Sequence, residues 1–303
     1  MISSKCHLGY LELNYSASAH TIGIGGGEAE QQPQQSVTEE VLEKLCPPTC
    51  LENLHVIGGY LSRQLPNWMC APKSADFKSL RYLRLENLPC CTQLPDGLCC
   101  LPCLELLNII DAPAIKRVGP QFMASSTLAA EVSTTTTSAL FPKLRELYLV
   151  GLCEWEEWEW NDQTASCLPP GLASSKRHSL RKLDLYKLTS LTHVEKFPSV
   201  VKLDVFDCPE LKSISSLPML QKIMIVRCTM LEVLEDVPAL DSLVLEDTST
   251  TMDMLPEYLR AVNPRYLDMA CNKKLRESSL SPGSSEWNKI SHIRKHNIVC
   301  IRD

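Results

Sequence analysis

Four segments of this chain carry one apolar frame at one spacing. They are LRKLDLYKLTSL from Leu180, VVKLDVFDCPEL from Val200, LQKIMIVRCTML from Leu220 and LDSLVLEDTSTT from Leu240, so successive copies start 20 residues apart. Each opens L-x-x-L-x-L, with Val or Ile accepted for Leu. A fixed period of this length restricts the chain to a stack of similar units. The last two apolar positions of the frame lie two residues apart, so on a strand they share one face. The residues between and beside them take the other face. One such unit cannot bury its own apolar face, and stability has to come from its neighbours.

The frame recurs at wider spacing from Leu51, Leu80, Leu104 and Leu144, with a weaker copy from Pro264 and a fragment, LGYLELN, from Leu8. Its ninth position, held by Cys208, Cys228 and Asn272, suits a tight turn in which a small polar group satisfies backbone groups left unpaired. The twelfth (Leu191, Leu211, Leu231, Leu275) turns the chain back into the core. This pattern resembles the leucine-rich repeat. It predicts an α/β leucine-rich-repeat solenoid (horseshoe) with a parallel β-sheet on the concave face, few helices, and irregular loops on the convex face.

The expected organisation is a partial first repeat and flexible insertion over 1–35, a repeat array over 36–277, and a C-terminal cap over 278–303. Gly, Gln, Ser, Thr and Pro-rich stretches read as inserted loops, with two inside the array at about 121–139 and 161–179. Ser36 and Glu39 have capping-box spacing ahead of Val41, Leu42 and Leu45, which predicts a helix ended by Pro47-Pro48. In the cap, Trp287, Ile290 and Ile293 fit one helical face, and Ile298 to Ile301 suggest a last strand.

Charge and motifs exclude several functions. With 30 Lys+Arg against 36 Asp+Glu the net charge is −6, which disfavours a nucleic-acid partner. No apolar run is long enough for a membrane span. The start, MISSKCHLGY, lacks a secretory pattern, so the 15 cysteines read as reduced thiols in the cytoplasm. The Gly23 to Gly27 stretch lacks the G-K-[ST] ending of a phosphate cradle. Cys100-x-x-Cys103 has zinc-ligand spacing without a second pair, and His292, His296, Cys300 and Cys271 form only a loose ligand set. We therefore expect no metal, no cofactor, no catalytic residue and no enzyme activity.

The stretch from Thr38 to Met69, TEEVLEKLCPPTCLENLHVIGGYLSRQLPNWM, is similar to the first repeats of plant nucleotide-binding leucine-rich-repeat resistance proteins. The matching residues are Glu39-Glu40, Val41-Leu42-Glu43, Leu51, Leu54, Val56, Gly59-Tyr60 and Pro66-Asn67-Trp68-Met69; the segments from Leu101 and Phe141 and the Glu-Trp run from Glu154 also resemble that family. The resemblance implies a non-catalytic recognition module of an intracellular immune receptor. Its protein partners would be a pathogen effector or a guarded host protein and, in the intact architecture, a nucleotide-binding switch domain. No G-x-x-x-x-G-K-[ST] occurs here, so the switch itself does not carry over. The rival readings are a leucine-rich-repeat scaffold or ubiquitin-ligase adaptor, and a truncated, inactive gene product.

Strand positions three, five and seven should face a partner. They place Tyr82, Arg84, Glu86, Glu146, Tyr148, Lys182, Asp184, Tyr186, Lys202, Asp204, Phe206, Lys222 and Met224 on the concave face, with Val226 beside them. Stacked strands put Lys182, Lys202 and Lys222 in a ladder, offset by Asp184 and Asp204. The alternatives are a solvated mixed-charge face and a docking stripe anchored by Tyr186 and Phe206. On this reading Lys182→Glu with Lys202→Glu leaves stability nearly intact. In EWEEWEW, Trp155 falls at a core position, whereas Trp158 and Trp160 form an interaction patch unless the following insertion covers them.

Overall fold

The computed structural model describes residues 8–15, 44, 48–58, 63, 65–66, 69, 77–94, 98, 101–116, 141–156, 180–246 and 253–300. The helix expected from Ser36, the inserted loops, and Trp158 and Trp160 lie outside them. The chain forms two compact units. Both are leucine-rich-repeat solenoids in which each frame becomes one strand of a parallel sheet.

The first unit stacks β1 (Tyr10–Tyr15), β2 (Asn53–Gly58), β3 (Tyr82–Glu86) and β4 (Leu106–Ile110) in chain order, all parallel. The fragment from Leu8 is thus a full rung. Leu54, Leu83 and Leu107 face one another across the ladder, as do Val56, Leu85 and Ile109. All six are at most 1% exposed.

The second unit stacks β5 (Glu146–Val150), β6 (Lys182–Tyr186), β8 (Lys202–Phe206), β10 (Lys222–Val226), β12 (Ser242–Glu246), β13 (Tyr266–Cys271) and β14 (Lys295–Cys300). Leu183, Leu203, Ile223 and Leu243 are successive partners, and so are Leu185, Val205, Ile225 and Leu245. The intervening strands β7 (His193–Glu195), β9 (Ser213–Ser215) and β11 (Val233–Leu234) form a second parallel sheet on the return side. The sequence led us to expect irregular loops there. A 20-residue unit leaves too little chain for a return helix, so the segment stays extended and pairs with its equals. Val194, Ile214 and Leu234 face inward and close the core from that side.

The turn at the end of seven of the strands has one backbone conformation. The eighth position of seven repeats is held by Gly58, Asn87, Asp111, Gly151, Lys187, Asp207 and Arg227, and all have positive φ. In three 20-residue repeats a second left-handed turn falls at Lys196, Ser216 and Asp236. A non-glycine residue pays roughly 1 kcal/mol for that region, part of which glycine's own entropy cancels. Ser216→Gly should therefore stabilise the second unit by about 0.5 kcal/mol. A urea titration checks this as a higher midpoint at unchanged slope.

The C-terminal part of the chain continues the second unit. Asn272 caps α1 (Lys273–Ser279) through Leu275 N, and Ser284 caps α2 (Ser285–Ile290) through Trp287 N. Ile293 lies beyond α2 yet is buried with Ile290, and the expected last strand is β14, paired with β13. The ammonium of Lys289, 2% exposed, donates to Leu255 O at 2.7 Å and pairs with Glu257 at 2.8 Å and Glu286 at 3.4 Å. Three acceptors compensate the cost of burying that charge.

Candidate functional site

The outer faces of the two ladders hold the candidate residues, and each face is set by strand alternation. In the first unit Tyr82, Arg84 and Glu86 are half-buried and face outward. Arg84 pairs with Glu86 at 2.6 Å. Neighbouring rungs add residues that sequence reasoning missed. His55 meets Tyr10 edge-on with centroids 5.0 Å apart, and half-buried Ile57, Leu106, Asn108 and Ile110 extend the face. Their signal was available, because they occupy positions three, five and seven of the frames from Leu51 and Leu104.

The second unit carries the denser face. The Lys182 ammonium donates to Tyr148 Oη at 2.5 Å, lies 4.4 Å from its ring centroid, and pairs with Asp184 at 2.9 Å. Tyr148 in turn donates to Glu146 at 2.7 Å. Lys202 pairs with Asp204 at 2.6 Å. One rung over from each other, Tyr186 and Phe206 stack with centroids 4.5 Å apart and planes 5° from parallel. Such a pair contributes about 0.5–1.5 kcal/mol beyond its buried area.

Two features of this face differ from the sequence expectation. Asp184 and Asp204, placed opposite each other, are only 2% and 6% exposed, and one oxygen of each (Oδ1) is buried without a hydrogen-bond partner. Val226, expected on the open face, is buried at 3%. Lys182 and Lys202 reach the short carboxylates beside them, and alternation alone understates the burial of Asp184 and Asp204. Burial pushes the Asp184 carboxyl up, against the opposing pull of Lys182. Burial also works against the Lys182 charge, but its hydrogen bonds to Tyr148 and Asp184 outweigh it and hold the ammonium above the usual lysine range.

Lys182 and Lys202 are thus neutralised from beneath. Lys222 completes the ladder opposite Lys202, is exposed, and has no ion pair among the described residues. Beside it Met224 is half-buried. Around these rungs the face therefore presents a flat aromatic pair, a polarizable side chain and, at Lys222, a positive charge without an ion pair among the described residues. That set suits protein contact, where aromatic and Met side chains supply area and a charge fixes register.

Among the described residues no three His, Cys, Asp or Glu side chains converge on a metal position. His292 interacts with Val262 O, His296 packs edge-on against Trp287, and Cys103 lies 3.5 Å from the Lys143 ammonium. Trp155 is fully buried at its core position. No helix of the described residues is long and apolar enough to cross a membrane.

Residues 1–112 match the family described as R13L1/DRL21 LRRs. Over that stretch the chain is similar to the R13L1/DRL21 leucine-rich repeats. That family is the leucine-rich-repeat region of plant nucleotide-binding resistance proteins, and it supports a recognition role in immunity. The R13L1/DRL21 stretch contains β1 to β4, and with them Tyr82, Arg84 and Glu86. The leucine-rich repeat is a protein-interaction fold and is typically non-catalytic. No curated protein matches the sequence. The crystal structure of the pneumococcal vaccine antigen PcpA is similar over 84% of this chain and 52% of that one, at 11% identity and a TM-score of 0.22. This chain spans about half the length of that protein, and a score so low carries no argument.

Proposed function

We propose that this chain is the protein-recognition module of a plant intracellular immune receptor, located in the cytoplasm and without catalytic activity. It senses a pathogen protein, or a host protein that a pathogen alters. The match of residues 1–112 to the R13L1/DRL21 repeats carries this reading. The outer face of the second unit supports it by supplying a docking stripe around Tyr186, Phe206, Lys222 and Met224. In an intact receptor the same face would also hold a nucleotide-binding switch domain, and competition between the two partners would release the switch.

Lys222→Glu and Met224→Arg test the reading, since both side chains reach the surface while the core below is untouched. The full chain and each variant are expressed in leaf tissue with and without pathogen challenge, and co-precipitated proteins are compared. We expect a pathogen or host protein captured by the parent chain to fall about tenfold or more with either variant, at an unchanged melting temperature. Capture that ignores both variants would overturn the stripe. Ubiquitin-ligase subunits as the main captured proteins would replace the receptor reading with the adaptor one.

A further inference from the structure

The ninth position of the repeat is apolar at Leu88, Ala112, Leu152 and Leu188, but two consecutive rungs place sulfur there: Cys208 and Cys228. They sit between positions that are themselves in register. Phe206 faces Val226 in the ladder, Arg227 donates to Asp207 at 2.6 Å, and Glu232 N donates to Lys212 O at 3.0 Å. Neighbouring strands lie about 4.8 Å apart, inside the Cα separation that a disulfide spans. Each thiol donates to backbone carbonyls, Cys208 to Phe206 O at 3.4 Å and Cys228 to Val226 O at 3.5 Å. Each thiol also shifts the ionisation of the other.

Their surroundings differ. Cys208 is fully buried, whereas Cys228 is half-buried and lines a cleft of about 50 Å³ with Arg227, Thr229, Glu246, Pro256 and Tyr258. A single water needs roughly 10–15 Å³ measured this way, so the cleft admits a small hydrophilic oxidant. We propose that Cys208 and Cys228 form a peroxide-reactive dithiol site, in which Cys228 attacks hydrogen peroxide from the cleft and Cys208 closes the disulfide.

The neighbouring Cys208 thiol lowers the Cys228 pKa and favours its thiolate, while Cys228 raises Cys208 and keeps it protonated. The Cys228 thiolate attacks one peroxide oxygen and the O–O bond breaks. The departing hydroxide takes up the proton that the thiol had released and leaves as water, and Cys228 becomes a sulfenic acid. Once that negative charge is spent, the main cause holding the Cys208 proton is gone. The Cys208 sulfur then attacks Cys228 Sγ; its proton and the displaced hydroxide form a second water. Two thiols and one peroxide thus give one disulfide and two waters, with two electrons passing from sulfur to oxygen. Cys271 and Cys300 also face each other, across β13 and β14, but burial pushes the Cys271 thiol up to about 11, and the weaker pull of Arg276 does not offset it.

The test uses the full chain, fully reduced and then exposed to hydrogen peroxide, with every cysteine mapped by peptide mass spectrometry. The expected product is a peptide pair joined through Cys208 and Cys228, two hydrogens lighter than the thiols and restored by dithiothreitol. Cys208→Ser should stop at a sulfenic acid on Cys228, trapped by dimedone. Cys228→Ser should slow oxidation of Cys208 about tenfold or more. The proposal fails if peroxide leaves the 208–228 linkage unformed in the parent chain, or if Cys208 oxidises as fast without Cys228. The parent chain alone decides the first point, so a variant that folds poorly does not remove the test.

Discussion

Replacing Leu203 by Ala will lower the stability of the second unit by about 2–5 kcal/mol, seen as an earlier urea midpoint. Leu203 has no exposed surface and lies between Leu183 and Ile223 in the ladder, with further apolar rungs on both sides. Truncation removes buried methyl groups and leaves a cavity walled by strands whose spacing the backbone hydrogen bonds fix, so collapse around the void is limited. Each rung touches only its neighbours, and the loss falls on two interfaces at once. A change below about 1 kcal/mol would mean that Leu203 is not at the centre of the stack.

Lys182→Glu will cost about 2–3 kcal/mol, in contrast to the neutral outcome that the sequence alone suggests. The side chain is 27% exposed and can be reached by solvent, but its ammonium is the partner of an aspartate whose side chain is 3% exposed. Glutamate there would place a second negative charge against Asp184, with Asp204 already opposite. Lys202 is 42% exposed over its own buried aspartate, and its reversal costs less. A double variant, Lys182→Met with Asp184→Leu, should regain most of the loss, because it removes both charges together. Thermal melts of Lys182→Met, Asp184→Leu and the double variant give the coupling. Strict additivity of the single changes would sink this account of the face.

The strand positions were legible from the sequence because two periods agree there: alternation within a rung and 20 residues between rungs. Leu183, Leu203, Ile223 and Leu243 could be placed before any coordinates. The sheet on the return side was not legible. His193–Glu195, Ser213–Ser215 and Val233–Leu234 are two or three residues long, too short to show a period. Alternation also assigns a side chain to a face without saying how deep it lies. It put Asp184, Asp204 and Lys222 on one surface alike, whereas the first two are buried and the third is open. The ninth position fell between these cases. A small polar group serving the backbone was foreseeable at Cys208, Cys228 and Asn272, and all three donate or accept as that role requires.

The left-handed residue at the end of seven strands sets limits of another kind. Asn, Asp, Gly, Lys and Arg all occur there, so the site tolerates either sign of charge or none. A β-branched residue would clash with its own backbone in that conformation. Substitution is therefore less constrained at the outward strand positions, while the residue that follows is filtered by main-chain geometry even where it is fully wet. Among surface sites in this chain, torsional compatibility, more than accessibility, marks which ones selection can freely rewrite.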